Sequence, residues 1–205
     1  MSETKRLGII LFPQFELLDV FGPAEMFGAL QGMIDVVLIA EKAGAVASAQ
    51  GPEVVAKYGF DDCPPLDMLL VPGGMGTRSE IENPAMIDFL RQRVAAAEVA
   101  MTVCTGTALF AAAGLLDGRR ATTNKMVFGW VASVGPAVEW VKEARWVEDG
   151  KFVTSSGVSA GMDMALAVIQ RLHGEDVSRM VEVGTEYDWH RDASWDPFAK
   201  IHGLV

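Results

Sequence analysis

The sequence predicts an α/β fold: a doubly wound, flavodoxin-like, mostly parallel sheet with helices on both faces. Three observations predict it. Short runs are continuously apolar, as strands buried on both faces are: Leu7–Phe12, Met33–Ala40, Asp67–Pro72 and Val99–Val103. Stretches with helical spacing of apolar residues separate them, which is the alternation of βαβ units. One hairpin signal, Asp149-Gly150, lies between Arg145-Trp-Val147 and Phe152-Val-Thr154 and adds an antiparallel excursion.

The elements follow in order. Leu7–Phe12 is a strand that Pro13 stops. Glu16 to Gln31 carries helical spacing, with Gly22-Pro23 expected to break its early part. Met33–Ala40 is the second strand, and Asp67–Pro72 the next, running into Gly73-Gly74. Asn83 to Ala97 reads as a helix, with Asn83 as cap and Pro84 at the first helical position. Val99–Val103 is a strand with Cys104 at its end. Thr105–Ala113 is an apolar helix closed by Gly114, and Ala160–His173 and Asp176–Tyr187 are two more helices. The last stretch, residues 188–205, is irregular and aromatic. It is expected to lie as an ordered tail across the body or a partner subunit.

Length and composition bound the function. The chain has 205 residues, 50% hydrophobic and 21% charged, which fits one globular domain spanning residues 1–205. The net charge of −10 gives no drive toward nucleic acid or anionic lipid, so neither partner is expected. No apolar run is long enough to span a bilayer, and the N-terminus lacks a secretory signature. The two cysteines, Cys63 and Cys104, make no disulfide framework, so a cytoplasmic, reducing setting is the expectation. The histidines His173, His190 and His202 have no metal-ligand spacing, and no cofactor fingerprint follows the first strand.

In an open parallel sheet, ligands bind beyond the carboxyl ends of the strands. Three loops there carry candidate chemistry: Asp19 in Leu17-Leu-Asp-Val-Phe-Gly-Pro23, Gly74 in Pro72-Gly-Gly-Met-Gly76, and Cys104-Thr105 in Val103-Cys-Thr-Gly106. A cysteine where a strand turns into a helix projects from the sheet edge, and helix N–H groups below it favour a thiolate. A buried structural cysteine is the competing reading. Asp19 sits among apolar residues, which should raise its pKa and let it donate a proton; a loop-fixing aspartate is the plainer alternative. Gly73-Gly74 lets backbone amides approach an anion, or is simply a tight turn. Cys63, in Asp61-Asp-Cys-Pro-Pro65, reads as structural.

A rival motif is Gly157-Val-Ser-Ala-Gly161, which matches the G-x-S-x-G pattern of serine hydrolases, with Asp188, His190, Asp192 and His202 available as later partners. Its plainer reading is a Gly-rich strand-to-helix turn with Ser159 as cap.

Taken together, the Asp19 loop, the Asp61–Asp67 segment, Val71-Pro-Gly-Gly-Met-Gly76, Val103-Cys-Thr-Gly106 and Ala112-Ala-Gly-Leu-Leu-Asp-Gly-Arg-Arg-Ala-Thr-Thr123 resemble the ThiJ/PfpI superfamily. The resemblance runs from Leu7 to about Tyr187 and is nearest to its isocyanide hydratase group. That group has Asp where many members have Glu, and Thr after the nucleophile. Thr105 in place of His argues against peptidase activity. Asn124, where relatives often have His, and the ending Glu186–Pro197 depart from the group.

The resemblance implies an enzyme that converts an isocyanide to an N-substituted formamide through a thioimidate on Cys104. Asp19 would shuttle protons, and Thr105 and Gly74 would steady charge through their N–H groups. It implies no metal or organic cofactor, a small electrophilic substrate and a homodimer. Two alternatives share the cysteine: a glyoxalase- or deglycase-like enzyme acting on reactive carbonyls, and a non-enzymatic sensor in which Cys104 is oxidised. The superfamily fold also occurs joined to DNA-binding domains, for which this chain leaves no length.

Overall fold

Burial on both faces explains why the sheet's central strands are apolar throughout. The computed structural model describes residues 4–205. Its elements are β1 (Lys5–Ile10), α1 (Leu17–Gly28), β2 (Ile34–Ile39), β3 (Gly44–Ala47), β4 (Glu53–Ala56), β5 (Met68–Val71), α2 (Thr77–Glu80), α3 (Pro84–Ala96) and β6 (Val99–Val103). A short 3-10 turn (Cys104–Gly106) then leads into α4 (Thr107–Ala112), β7 (Arg120–Ala121), α5 (Phe128–Val134), β8 (Glu139–Trp140), β9 (Trp146–Asp149), β10 (Phe152–Ser155), α6 (Ala160–His173), α7 (Glu175–Gly184) and α8 (Pro197–Ile201).

The main sheet has the order β2-β1-β5-β6-β10-β9. All neighbours are parallel except β9, which returns antiparallel to β10 through the Asp149-Gly150 turn. Gly150 supplies the left-handed backbone (φ 61°) that this turn needs. From β1 the chain steps outward to β2, whereas β5, β6 and β10 advance in the opposite direction. Right-handed crossovers therefore put α1 and α3 on opposite faces of the sheet. The reversal lies between β1 and β5, and at such a switch point the strand ends open a crevice.

Met68, Leu69, Leu70 and Val71 of β5 are fully buried, as are Leu7, Ile9 and Ile10 of β1. Asn83 caps α3 by accepting from the Ala85 N–H at 3.0 Å.

Several expectations are corrected. Gly22-Pro23 does not break α1, which runs unbroken through Pro23. Its proline removes one helical donor, but Gly22 and Pro23 are buried against α6, where Met162 and Gly161 pack closely on them. Burial of that face compensates for the missing hydrogen bond. The antiparallel pair β3–β4 escaped the sequence reading, because both strands are short and half exposed. The two-residue pair β7–β8 escaped it too. The tail contains a helix, α8, whose cap Asp196 accepts from the Phe198 N–H at 3.0 Å. Tail and body join where the Arg145 N–H donates to the Ala193 carbonyl at 2.7 Å.

Candidate active site

Cys104 follows β6 directly and has φ of 57°, a left-handed conformation uncommon for a residue with a side chain. Hydrogen bonds hold it there. Its N–H donates to the Ser156 carbonyl at 3.2 Å. Its carbonyl accepts from the hydroxyls of Thr123 at 2.7 Å and Thr107 at 3.3 Å. Such over-determination is what lets strained backbone persist at a functional site.

Two glycines give the elbow its space. A methyl group at Gly73 would lie 2.6 Å from the Thr105 nitrogen and 2.8 Å from Cys104 Cβ. One at Gly157 would lie 2.9 Å from Cys104 Sγ and collide with Asn124 Nδ2. Any side chain at either place would fill the site.

Asp19, in the first turn of α1, is fully buried. Its Oδ2 accepts from the Gly73 N–H at 2.8 Å, while its Oδ1 has no hydrogen-bond partner among the described residues. Burial pushes this carboxyl well above the ordinary carboxylate range. The Gly73 N–H works against that shift, the Glu16 charge adds to it, and the neighbouring Cys104 thiol opposes it. Burial also pushes the Cys104 thiol up, and an ionised Asp19 pushes it further. The Thr105 N–H, the Asn124 side chain and the Thr105 hydroxyl pull it back. Cysteine and aspartate are thus a coupled pair. A protonated Asp19 removes the repulsion and carries a proton beside the sulfur.

The N–H groups of Thr105 and Gly74 were both expected to steady charge on a substrate; instead the two residues hydrogen-bond to each other. The Gly74 N–H donates to Thr105 Oγ1 at 3.0 Å, so it is engaged within the protein. The Thr105 hydroxyl in turn donates to the Gly74 carbonyl at 3.3 Å. Gly74, with φ of 124°, therefore fixes Thr105, whose backbone N–H is one of the donors facing the sulfur.

Asn124 is the residue whose role the sequence did not disclose. Its Oδ1 accepts from the Val127 N–H at 3.3 Å, which turns its Nδ2 toward Cys104. Thr123, next to it, was legible only as part of the Ala-Thr-Thr segment. Asn124 and Gly157, which adjoin the sulfur, also line a cleft of about 290 Å³ together with Leu18, Met126, Ser159, Phe198 and His202.

The serine motif assembles no triad. Ser159 has ordinary helical backbone (φ −72°, ψ −20°), makes no capping bond, and accepts from Arg145 Nη2 at 3.1 Å. Among the described residues no histidine hydrogen-bonds to it. Gly157 of the same motif serves the cysteine instead. Cys63 is buried away from this cluster, with its sulfur near the Pro64 carbonyl at 3.3 Å.

Fold and site together define an α/β protein with a cysteine at a strand-to-helix elbow and a buried carboxyl beside it. The chain belongs to the DJ-1/PfpI family, whose profile matches residues 5–171. It is 37% identical to an isonitrile hydratase of Pseudomonas putida over 182 residues, 89% of this chain and 78% of that protein. It is 27% identical to a deglycase of Pyrococcus abyssi, covering 73% of this chain and 89% of the relative. The crystal structure of a ThiJ/PfpI family protein from Pseudomonas syringae superposes with a TM-score of 0.84 at 30% identity, over 91% of this chain and 76% of that one.

Proposed function

We propose that the protein hydrates an isocyanide (isonitrile) to an N-substituted formamide through a covalent intermediate on Cys104. The observation that carries this reading is the buried Asp19 carboxyl, raised in pKa, beside the Cys104 sulfur at a strained elbow. The 37% identity to an isonitrile hydratase supports the choice of substrate class.

The Cys104 thiolate attacks the terminal carbon of R–N≡C. Asp19 delivers its proton to that same carbon, giving the thioimidate R–N=CH–S. Forming a covalent intermediate divides one difficult addition into two easier steps. Water then adds to the carbon while ionised Asp19 takes one of its protons, which passes to the nitrogen. The C–S bond breaks as the hydroxyl proton of that adduct passes to Asp19, R–NH–CHO leaves and the thiolate returns. Each turnover consumes one water and restores both groups.

The Thr105 N–H and Asn124 Nδ2 hold the sulfur while it carries charge. Gly74 and the Thr105 hydroxyl hold that N–H in place. The test is formamide production from an isocyanide by wild type and Cys104→Ala. Turnover by wild type alone is the expected result, and equal turnover by the variant removes the mechanism.

A second reading keeps the pair and changes the electrophile to a reactive carbonyl, and similarity to a deglycase favours it. Steady turnover of methylglyoxal, with isocyanides inert, would select it.

A further inference from the structure

Residues 188–205 lie beyond residues 5–171, the part matched by the family, yet they reach a cleft that adjoins the elbow. Phe198 of α8 and His202, just past its end, line the same cleft as Asn124 and Gly157, two neighbours of the sulfur. What fixes α8 there is a buried ion pair. Asp196, the α8 cap, is fully buried, and Lys125 stands beside it with its side chain 1% exposed. Lys125 Nζ lies 3.7 Å from Asp196 Oδ2, a contact of charges rather than a hydrogen bond.

Lys125 Nζ donates instead to Thr122 Oγ1 at 2.6 Å, the Ala144 carbonyl at 2.8 Å and the Thr123 carbonyl at 3.2 Å. Asp196 Oδ1 is occupied by the Phe198 N–H, and Oδ2 has no hydrogen bond. The ammonium is thus the charge that compensates the buried carboxylate. A buried carboxylate without such a partner is strongly disfavoured. Lys125 follows Thr123 and Asn124, which hold the Cys104 carbonyl and sulfur. One ion pair therefore couples α8 to the segment that shapes the elbow.

We propose that this cleft is the route to Cys104 with α8 as its outer wall, that Phe198 and His202 set the size of electrophile admitted, and that Lys125–Asp196 latches this wall. The inference rests on Cys104 as the reacting group assigned above, and it adds the residues that choose among substrates. Phe198 is 45% exposed, so it borders the entrance without sealing it and can be shortened without opening the core.

The test reads access to the sulfur independently of any turnover. Cys104 is alkylated by iodoacetamide and by a bulky N-aryl maleimide in a Cys63→Ser background, and the bulky-to-small rate ratio is compared. Taking the ratio cancels changes in the thiolate fraction. Phe198→Ala should raise the ratio about tenfold, the scale on which a pocket discriminates by size. Asp196→Asn, which keeps a capping oxygen but loses the charge, should raise it too. It should also speed amide hydrogen exchange at Ala199, His202 and Leu204 while the central strands stay protected.

A ratio within twofold of wild type in Phe198→Ala overturns the wall, and unchanged exchange in a folded Asp196→Asn overturns the latch. Should Asp196→Asn fail to fold, Asp196→Ser, another capping residue without charge, replaces it, and hydrogen exchange of α8 in Lys125→Met provides the opposite-side test. Isocyanide turnover is measured alongside. A changed ratio in a protein that hydrates no isocyanide keeps the wall and removes the hydratase reading, and the converse result removes the wall alone.

Discussion

The Thr123 hydroxyl donates a 2.7 Å hydrogen bond to the carbonyl of Cys104, the residue with φ of 57° at the end of β6. The Cys104 side chain is thus displayed by a backbone conformation that side chains disfavour, and a neighbouring hydroxyl helps to hold it. Replacing Cys104 by Gly should relieve that conformation, whereas Ala retains it. Cys104→Gly is expected to be more stable than Cys104→Ala by about 1 kcal/mol in denaturant unfolding. Equal stability would mean that the elbow stores no strain.

Thr123→Val removes the donor and leaves the buried Cys104 carbonyl with the longer Thr107 contact at 3.3 Å. A loss of about 1–3 kcal/mol is expected, the usual effect of an under-satisfied buried group. Thiol alkylation in the same variant should change as well, because the sulfur is no longer held in one place.

Gly157→Ala places a methyl group 2.9 Å from Cys104 Sγ. The fold should survive, since the obstruction is confined to the site. Alkylation of Cys104 by iodoacetamide should fall at least tenfold. An unchanged rate would mean that the sulfur is approached from another direction.

Asp19→Asn separates the two jobs assigned to the carboxyl. Turnover should drop by about 10²–10⁴-fold, the usual contribution of a positioned proton donor. Alkylation at neutral pH should hold or rise, because the charge that pushes the thiol up has gone. Stability gives an independent readout. The folded Asp19 carboxyl is raised above its unfolded value, so the folded state binds the extra proton. Its contribution is fully present below the ordinary carboxylate range and is lost as pH rises toward the folded pKa. Asp19→Asn should flatten that part of the wild-type stability profile.

Much of the fold was legible because its central strands are buried on both sides. Leu7–Phe12 and Val99–Val103 had no polar alternation to confuse them with edge strands. β3 and β4 lacked that signal, being short and half exposed. Pro23 misled because its cost is local while its compensation, packing on α6, is tertiary. The α8 start was written in the same way as the α3 start, a capping side chain before proline. Asn83-Pro84 was read, whereas Asp196-Pro197 was lost among tail aromatics.

Asp19, Cys104, Thr105 and Gly74 were candidates from their loops, and the structure brings them together. The direction of the Gly74 N–H was not legible, since it depends on the Thr105 hydroxyl 31 positions away in sequence. Asn124 was visible only as a departure from relatives. Its use follows from the Val127 N–H that orients it.

Asp163 offers a test of how the body supports the site. It is fully buried and accepts from Arg145 Nε at 2.6 Å, the Tyr187 hydroxyl at 3.0 Å and the His190 N–H at 3.0 Å. Burial, with the Asp163 charge, pushes the Tyr187 phenol up to about 12. Asp163→Ala should cost about 3–5 kcal/mol, because it strands the largely buried Arg145. In any folded fraction, the phenol should titrate at lower pH by ultraviolet absorbance.

The central claim is covalent chemistry at Cys104. Its most direct test is intact-protein mass spectrometry of wild type and Cys104→Ala during exposure to an isocyanide, with formamide quantified in the same tube. The account predicts a transient adduct of one isocyanide on wild type, mapped to Cys104, which decays as formamide appears, and neither signal in the variant. Formamide formed at equal rates by both proteins would contradict it.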